Sequence, residues 1–221
     1  EGLFYGTRTL LQLILKKGNV YQVPGMKITD WPAILQRAIH YDTKHHQDKM
    51  GYVKSFIKEL ADYKVNMLVW EWEDKFAYPS HPEIGAPGAF PPAEIRDVTA
   101  YAKKYHIQIV PLVQGLGHVS FILKWPQFAH LREIPASNFE FCPLKDGSYD
   151  LLFDLWKDAM DATPGSEYIH IGSDETYELG ECEQCRKKAA EIGQKGLYHL
   201  FTGKAAKFIL SQKRKPMVWE T

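Results

Sequence analysis

The run Ile107-Gln108-Ile109-Val110-Pro111-Leu112-Val113 is apolar at every position but one. A strand that does not alternate apolar with polar is covered on both faces, which is the habit of parallel sheets rather than antiparallel ones. Parallel neighbours need crossover segments, and the chain supplies them in rotation. Strands are predicted over 36–42, 65–72, 107–113, 168–172 and 216–219. Helices are predicted over 51–63, 92–105, 148–162 and 183–210, the last broken near Gly193 to Gly196. Two architectures follow, an open doubly wound sheet or a barrel. No glycine-rich phosphate loop follows the first strand, which weakens the nucleotide-binding open sheet. Polar residues instead gather after each strand: Asp42, Glu71 to Asp74, Gln114 to His118, and Asp174 with Glu175. That distribution favours an α/β fold of the (β/α)8 TIM-barrel type, with its site at the C-terminal ends of the strands. The chain then carries about the first five strands.

Ahead of this region, 3–17 has apolar residues at helical spacing, with Lys16 and Lys17 near its end and Gly18 beyond. The expectation is a helix stopped by Gly18. Residues 1–18 thus read as a helix of their own ahead of the strand-helix alternation of 19–221. The start, Glu1-Gly2-Leu3-Phe4, lacks the basic segment and small-residue cleavage site of a secretory leader.

Composition narrows the partners. Twenty-seven basic and 27 acidic residues balance to a formal charge of zero, and no basic stripe is interleaved with aromatics, so nucleic acid is not an expected partner. The longest apolar stretch, around Leu10 to Leu15, is interrupted by Gln12 and too short for a bilayer. Three cysteines make no disulfide framework. Cys182 and Cys185 form a C-x-x-C, but no second pair or histidine couple at ligand spacing stands nearby. Plain structural cysteines are expected, with no metal and no cofactor.

The segment Tyr168-Ile169-His170-Ile171-Gly172-Ser173-Asp174-Glu175-Thr176 carries the chemistry. A short β-branched run ends in a Gly-Ser bend and delivers two adjacent carboxylates where barrel enzymes place catalytic groups. Strand alternation would send Asp174 and Glu175 to opposite faces, so the bend is what lets both reach one pocket. Carboxylates held close do not both ionise readily, which suits one of such a pair to act as a general acid. The competing reading is the first turn of a following helix, which also favours Asp and Glu.

His170-x-Gly172-x-Asp174-Glu175 resembles the H-x-G-x-D-E motif of family 20 glycoside hydrolases, the β-N-acetylhexosaminidases. Gly117-His118 is similar to that family's active-site Gly-His. Glu1 to Leu13 resembles the helix that closes the small α/β domain ahead of its barrel, which implies residues 1–18 as the last helix of such a domain and 19–221 as the N-terminal part of the barrel. Within the family, Trp70-Glu71-Trp72-Glu73-Asp74-Lys75-Phe76, the stretch from Gly117 to Lys124, and Phe128-Ala129-His130-Leu131-Arg132-Glu133 look most like the hexosaminidase D branch. The resemblance implies an exo-acting hydrolase of terminal β-linked GlcNAc or GalNAc, with an N-acetylated amino-sugar glycan as its partner molecule. It needs no cofactor, because the substrate's 2-acetamido oxygen is the nucleophile. By the same resemblance Glu175 is the acid, Asp174 orients the acetamido group, and His118 belongs to the catalytic network. Arg37, Asp74 and Trp219 are the implied sugar contacts. The competing readings, an ion pair on the barrel floor for Arg37 and a satisfied loop histidine for His118, are the less favoured ones, and Trp219 could be plain core. His170, by strand phase, is expected to be a buried structural histidine. The motif departs from the common family pattern at Glu71 and Glu73, which add charge of no evident role.

Two other functions compete. One is a non-catalytic relative that binds N-acetyl sugars; the intact Asp174-Glu175 pair weighs against it. The other is a metal-assisted hydrolase built on Asp42, His45, His46 and Asp48, which lack ligand spacing on a single element.

Overall fold

A computed structural model describes residues 1–220. The chain opens with α1 (Gly2–Gln12) and a hairpin of β1 (Leu15–Lys17) and β2 (Val20–Gln22), paired antiparallel from Leu15↔Gln22 to Lys17↔Val20. The single helix over 3–17 is therefore corrected: it ends five residues early. Gly18, at φ +62°, serves as the first residue of a two-residue turn with Asn19 rather than as a helix stop. Gly-Asn between two three-residue strands is a hairpin signal, and it outweighs the helical spacing of the leucines here.

Then follow β3 (Ala38–Asp42), α2 (Met50–Asp62), β4 (Met67–Glu71), α3 (Pro92–Lys103), β5 (Gln108–Leu112), the short α4 (Ser120–Leu123) and α5 (Asp146–Ala162). The chain continues through β6 (Tyr168–His170), α6 (Glu183–Ile192), α7 (Gln194–Ser211) and β7 (Lys215–Met217). Gly193, at φ +76°, separates α6 from α7, where the sequence places the break. The five later strands form one parallel sheet in the order β3-β4-β5-β6-β7. Sequential order with a helix between neighbours is the βα pattern of a barrel. α2 packs on α3, α3 on α5 and α5 on α7, a row of helices over one face.

Alternation along the strands decides what each face does. Leu68, Trp70, Ile109, Ile169 and Ile171 join the large core beneath the helices, together with Ile57, Val98, Leu155 and Phe201. Trp156 on α5 donates from Nε1 to the Val113 carbonyl at 3.0 Å, tying that helix to the sheet. The opposite face carries Met67, Val69, Val110 and Leu112, with Met217 and Trp219 packed against them.

This inner face is curled. In a flat sheet β3 and β7 would lie four strand spacings apart, roughly 19 Å. Yet the rings of His40 on β3 and Trp219 beyond β7 have centroids 5.2 Å apart, and Gln36 Nε2 reaches the Tyr168 hydroxyl at 2.9 Å. Side chains from distant strands meet only if the strands wrap around them, so the sheet is a stretch of barrel wall. The expected α/β-barrel architecture stands.

Candidate active site

The register places Asp42, Glu71, Leu112, His170 and Met217 in one tier of the inner face. Glu71 is 1% exposed and yet fully engaged. Its Oε2 lies 2.9 Å from His40 Nε2, and its Oε1 accepts from Gln114 Nε2 at 2.8 Å and faces Lys44 Nζ at 3.6 Å. A buried carboxylate survives only with such partners. Burial works against the Lys44 ammonium, but Glu71 and then Asp42, 3.1 Å away, outweigh it and hold its pKa above the usual lysine value. His170 is 2% exposed and its Nδ1 accepts from the Gly172 amide at 3.0 Å. Burial, with His40 nearby, lowers its pKa to about 4, so it is a neutral structural histidine, as its strand phase implies.

From Glu71 the network runs to the loop after β6. Gln114 bridges Glu71 to the Ser173 amide, which donates to Gln114 Oε1 at 3.1 Å. Gly172 crosses directly over this glutamine at φ +60°; a Cβ there would stand 1.7 Å from Gln114 Oε1 and 3.0 Å from its Cα. Gly172→Ala is therefore expected to lower stability by about 2–4 kcal/mol, combining left-handed strain with overpacking against a side chain already held at both ends. Urea unfolding measures it; a loss below about 0.5 kcal/mol would mean that the loop can shift.

Beyond the glycine, Ser173 (φ +72°) and Glu175 (φ +51°) are left-handed, as is His118 (φ +56°) on the facing loop. Such strain in non-glycine residues persists only where surroundings over-determine it. Here it turns three side chains toward one another. His118 Nε2 lies 2.9 Å from Glu175 Oε2 and 3.5 Å from Asp174 Oδ2. Gly117 permits the approach, since a Cβ there would meet the Asp174 carbonyl at 2.4 Å. The His118 ring rests edge-on against Phe139, which stacks with Tyr177. The hydrogen bond to Glu175 raises the Tyr177 phenol above its ordinary pKa. Asp174 Oδ1 is buried and has no hydrogen-bond partner among the described residues.

Asp174, Glu175, Tyr177 and Trp219 line one open concavity of about 550 Å³. Trp219 is fixed at both ends of its backbone: its amide donates to Gly172 O at 3.1 Å and its carbonyl accepts from the Tyr198 hydroxyl at 2.9 Å. Its ring lies 4.4 Å from that of His170.

Two expected sugar contacts fall elsewhere. Arg37 precedes β3, at the N-terminal end of the strands. Its guanidinium donates to the carbonyls of Lys64 (2.6 Å), Ile34 and Leu35 and covers the Tyr5 ring at 5.2 Å. The structure thus holds the Arg37 guanidinium at the N-terminal end of the strands and does not bring it to Asp174 and Glu175. The cation at the C-terminal end of β3 is Lys44. Asp74 is paired to Lys75 and to Lys124 at 3.3 Å rather than to His118; burial works against its carboxylate, but these lysines outweigh it and hold its pKa low. The carboxylate that joins the strand-end network is Glu71. Asp42, His45, His46 and Asp48 do not converge, Asp42 pairing with Lys44 and Asp48 with His46 and Tyr41.

Sequence reasoning passed over His40 and Lys44 and gave Glu71 and Gln114 no role beyond their place at strand ends. The usable signal was their place at or just beyond strand ends, in phase with the inner face. Glu73 remains distinctive, because burial and the neighbouring Glu71 raise its pKa to about 8. A carboxyl whose folded pKa exceeds its unfolded value contributes stability that is complete at acid pH and lost as pH rises through about 8. Glu73→Gln should leave stability at pH 5 nearly unchanged and raise it at pH 9 by about 1–2 kcal/mol. Parallel urea midpoints for wild type and variant across that range would contradict the assignment.

Parallel strands curled into a barrel wall, with a histidine and two carboxylates converging beyond their C-terminal ends, define the face of an α/β barrel on which such folds carry their sites. Residues 36–221 match the catalytic-domain model of glycosyl hydrolase family 20, and the chain belongs to that family. It is 33% identical over 152 residues to Hexosaminidase D of Bos taurus, an alignment covering 68% of this chain and 44% of that protein. It is 26% identical over its whole length to the Beta-hexosaminidase of Porphyromonas gingivalis, 33% of which is covered. Its fold superposes on the X-ray structure of the Flavobacterium johnsoniae chitobiase with a TM-score of 0.87 at 24% identity, over 99% of this chain and 36% of that one. The chain thus spans less than half the length of each of these proteins.

Proposed function

We propose that this chain carries the acid-bearing part of an exo-acting β-N-acetylhexosaminidase that releases terminal β-linked GlcNAc or GalNAc with retention of configuration. The observation that carries the reading is the Asp174 carboxylate. Its Oδ1 is buried and unpartnered beside Glu175, at the edge of a concavity walled by Trp219. A buried carboxylate oxygen without a donor is costly unless a ligand supplies one. The N–H of a 2-acetamido group is a donor of the right kind.

In this reading Glu175 gives its proton to the glycosidic oxygen as the C1–O bond breaks. The acetamido oxygen attacks C1 from the opposite face, forming a bicyclic oxazolinium ion. Asp174 accepts the acetamido N–H, aims that oxygen and balances the positive charge. Glu175, now a carboxylate, takes a proton from water, which attacks C1 and opens the ring. Two displacements at C1 give retention. His118, within hydrogen-bond reach of Glu175, positions the acid, and the Trp219 ring offers an apolar wall to the acetamido methyl.

Chromogenic β-GlcNAc and β-GalNAc substrates test the proposal on a protein with the complete barrel. Turnover of either, with the corresponding β-glucoside at least a hundredfold slower, supports it. Binding of the N-acetyl sugars without hydrolysis would favour the non-catalytic relative.

A further inference from the structure

Outside the catalytic pocket, four ligand-type side chains from three separated stretches of chain meet. Glu133, Cys142, Cys182 and Cys185 each offer a ligand atom, and all four atoms lie within 4.8 Å of one another. Cys142 Sγ is 3.7 Å from Cys182 Sγ and 3.5 Å from Cys185 Sγ. Glu133, Cys142 and Cys185 are buried, at 1%, 0% and 0% exposure.

We propose that Glu133, Cys142, Cys182 and Cys185 form a closed, tetrahedral structural zinc site. Zinc–sulfur bonds of about 2.3 Å at tetrahedral angles put sulfurs about 3.8 Å apart, which matches the spacing here. A disulfide requires about 2.05 Å, and three cysteines cannot pair evenly. The fourth ligand is the independent indication. Glu133 Oε1 accepts from the Gly180 amide at 3.1 Å and the Cys182 amide at 3.0 Å, which fixes the carboxylate. Its Oε2 is buried with no hydrogen-bond partner among the described residues. A buried carboxylate with one oxygen unpartnered, and with an oxygen within 4.8 Å of three sulfurs, is suited to a cation.

The second layer of such a site is also present. The Cys185 amide donates to Cys182 Sγ at 3.3 Å, at the start of α6. Hydrogen bonds of this kind orient ligands before the metal arrives. Glu133 and Cys142 are brought together by backbone pairing, with Glu133 N to Glu140 O, Cys142 N to Leu131 O and an antiparallel bridge at Arg132↔Phe141. Three thiolates with one carboxylate in tetrahedral array suit zinc better than calcium or magnesium. With all four positions filled by protein, no open position is left for chemistry. Cys182 and Cys185 lie on the same connection as Asp174 and Glu175, so the ion would pin the far end of the acid-bearing loop to the segment after β5. Zinc would displace the thiol protons on binding.

The test uses the full-length protein, purified without metal-affinity resin and dialysed against EDTA. Elemental analysis should find one zinc per chain, which mercurial titration of the thiols releases. Cobalt substitution should produce thiolate-to-cobalt charge transfer and the visible bands of a tetrahedral ion. Glu133→Gln should weaken zinc retention at least tenfold while the protein stays folded, and Cys185→Ser should reduce it further. The cobalt spectrum of the wild type stands even if a cysteine variant fails to fold. Zinc below a tenth of an equivalent after anaerobic reconstitution, an iron-containing chromophore, or a Cys142–Cys182 disulfide in peptide mapping would each overturn the proposal.

Discussion

Glu175→Gln, made in a protein containing the complete barrel, is expected to lower kcat/KM on β-N-acetylhexosaminides by about 10²–10⁴-fold, the usual contribution of a general acid. The glutamine keeps the size of the side chain and can still bond to His118 Nε2, 2.9 Å from Oε2 in the wild type. What disappears is the transferable proton and, in the second step, the base. The loss should therefore be largest for sugar leaving groups and smaller for activated phenols, which leave with little protonation. KM should change little, because the side chain is half exposed at the rim of the pocket and not a binding wall. Activity within threefold of wild type on a disaccharide substrate would remove Glu175 from the role of acid.

Asp174→Asn is the second large effect, about 10²–10³-fold in kcat, and it separates orientation from proton transfer. Asp174 Oδ1 is held without a partner in a buried position, and its Oδ2 lies 3.5 Å from His118 Nε2. The amide has nearly the same shape but no charge, and it presents a donor where an acceptor is needed. Two things are lost: the aim of the internal nucleophile, which is worth several kcal/mol when well held, and the counter-charge for the oxazolinium ion. Because both act in the transition state, kcat should fall more than KM rises. Unlike Glu175→Gln, this loss should persist with activated leaving groups. An Asp174→Asn enzyme with wild-type kcat on a nitrophenyl substrate would contradict the assignment.

Much of this was legible from residue order. The nearly all-apolar run 107–113 announced a strand covered on both faces, and the strand-ending polar residues pointed to one end of a parallel barrel. The Gly-Ser bend before Asp174 was readable as the device that delivers two carboxylates to one pocket, and Gly172 and Ser173 are both left-handed there. What failed did so for physical reasons. The leucines of α1 continue at helical spacing past Gln12, but the Gly18-Asn19 turn lets the chain fold back as a hairpin. Arg37 donates to the Lys64, Ile34 and Leu35 carbonyls at the N-terminal end of the strands, a placement that its residue type alone does not reveal. Lys44, two residues beyond Asp42, is where the direction of β3 delivers a cation. The gathering of Cys142 and Glu133 around the C-x-x-C was invisible because those ligands come from a different connection, forty or more residues upstream.

The most direct test of the central claim, acid catalysis by Glu175 with an acetamido nucleophile oriented by Asp174, is the anomer first formed when the full-length protein hydrolyses a β-N-acetylhexosaminide, followed by proton NMR before mutarotation. The account predicts the β-hemiacetal first, and no comparable turnover of the same glycoside without its N-acetyl group. An initial α-anomer, or equal turnover of the plain glycoside, would contradict it.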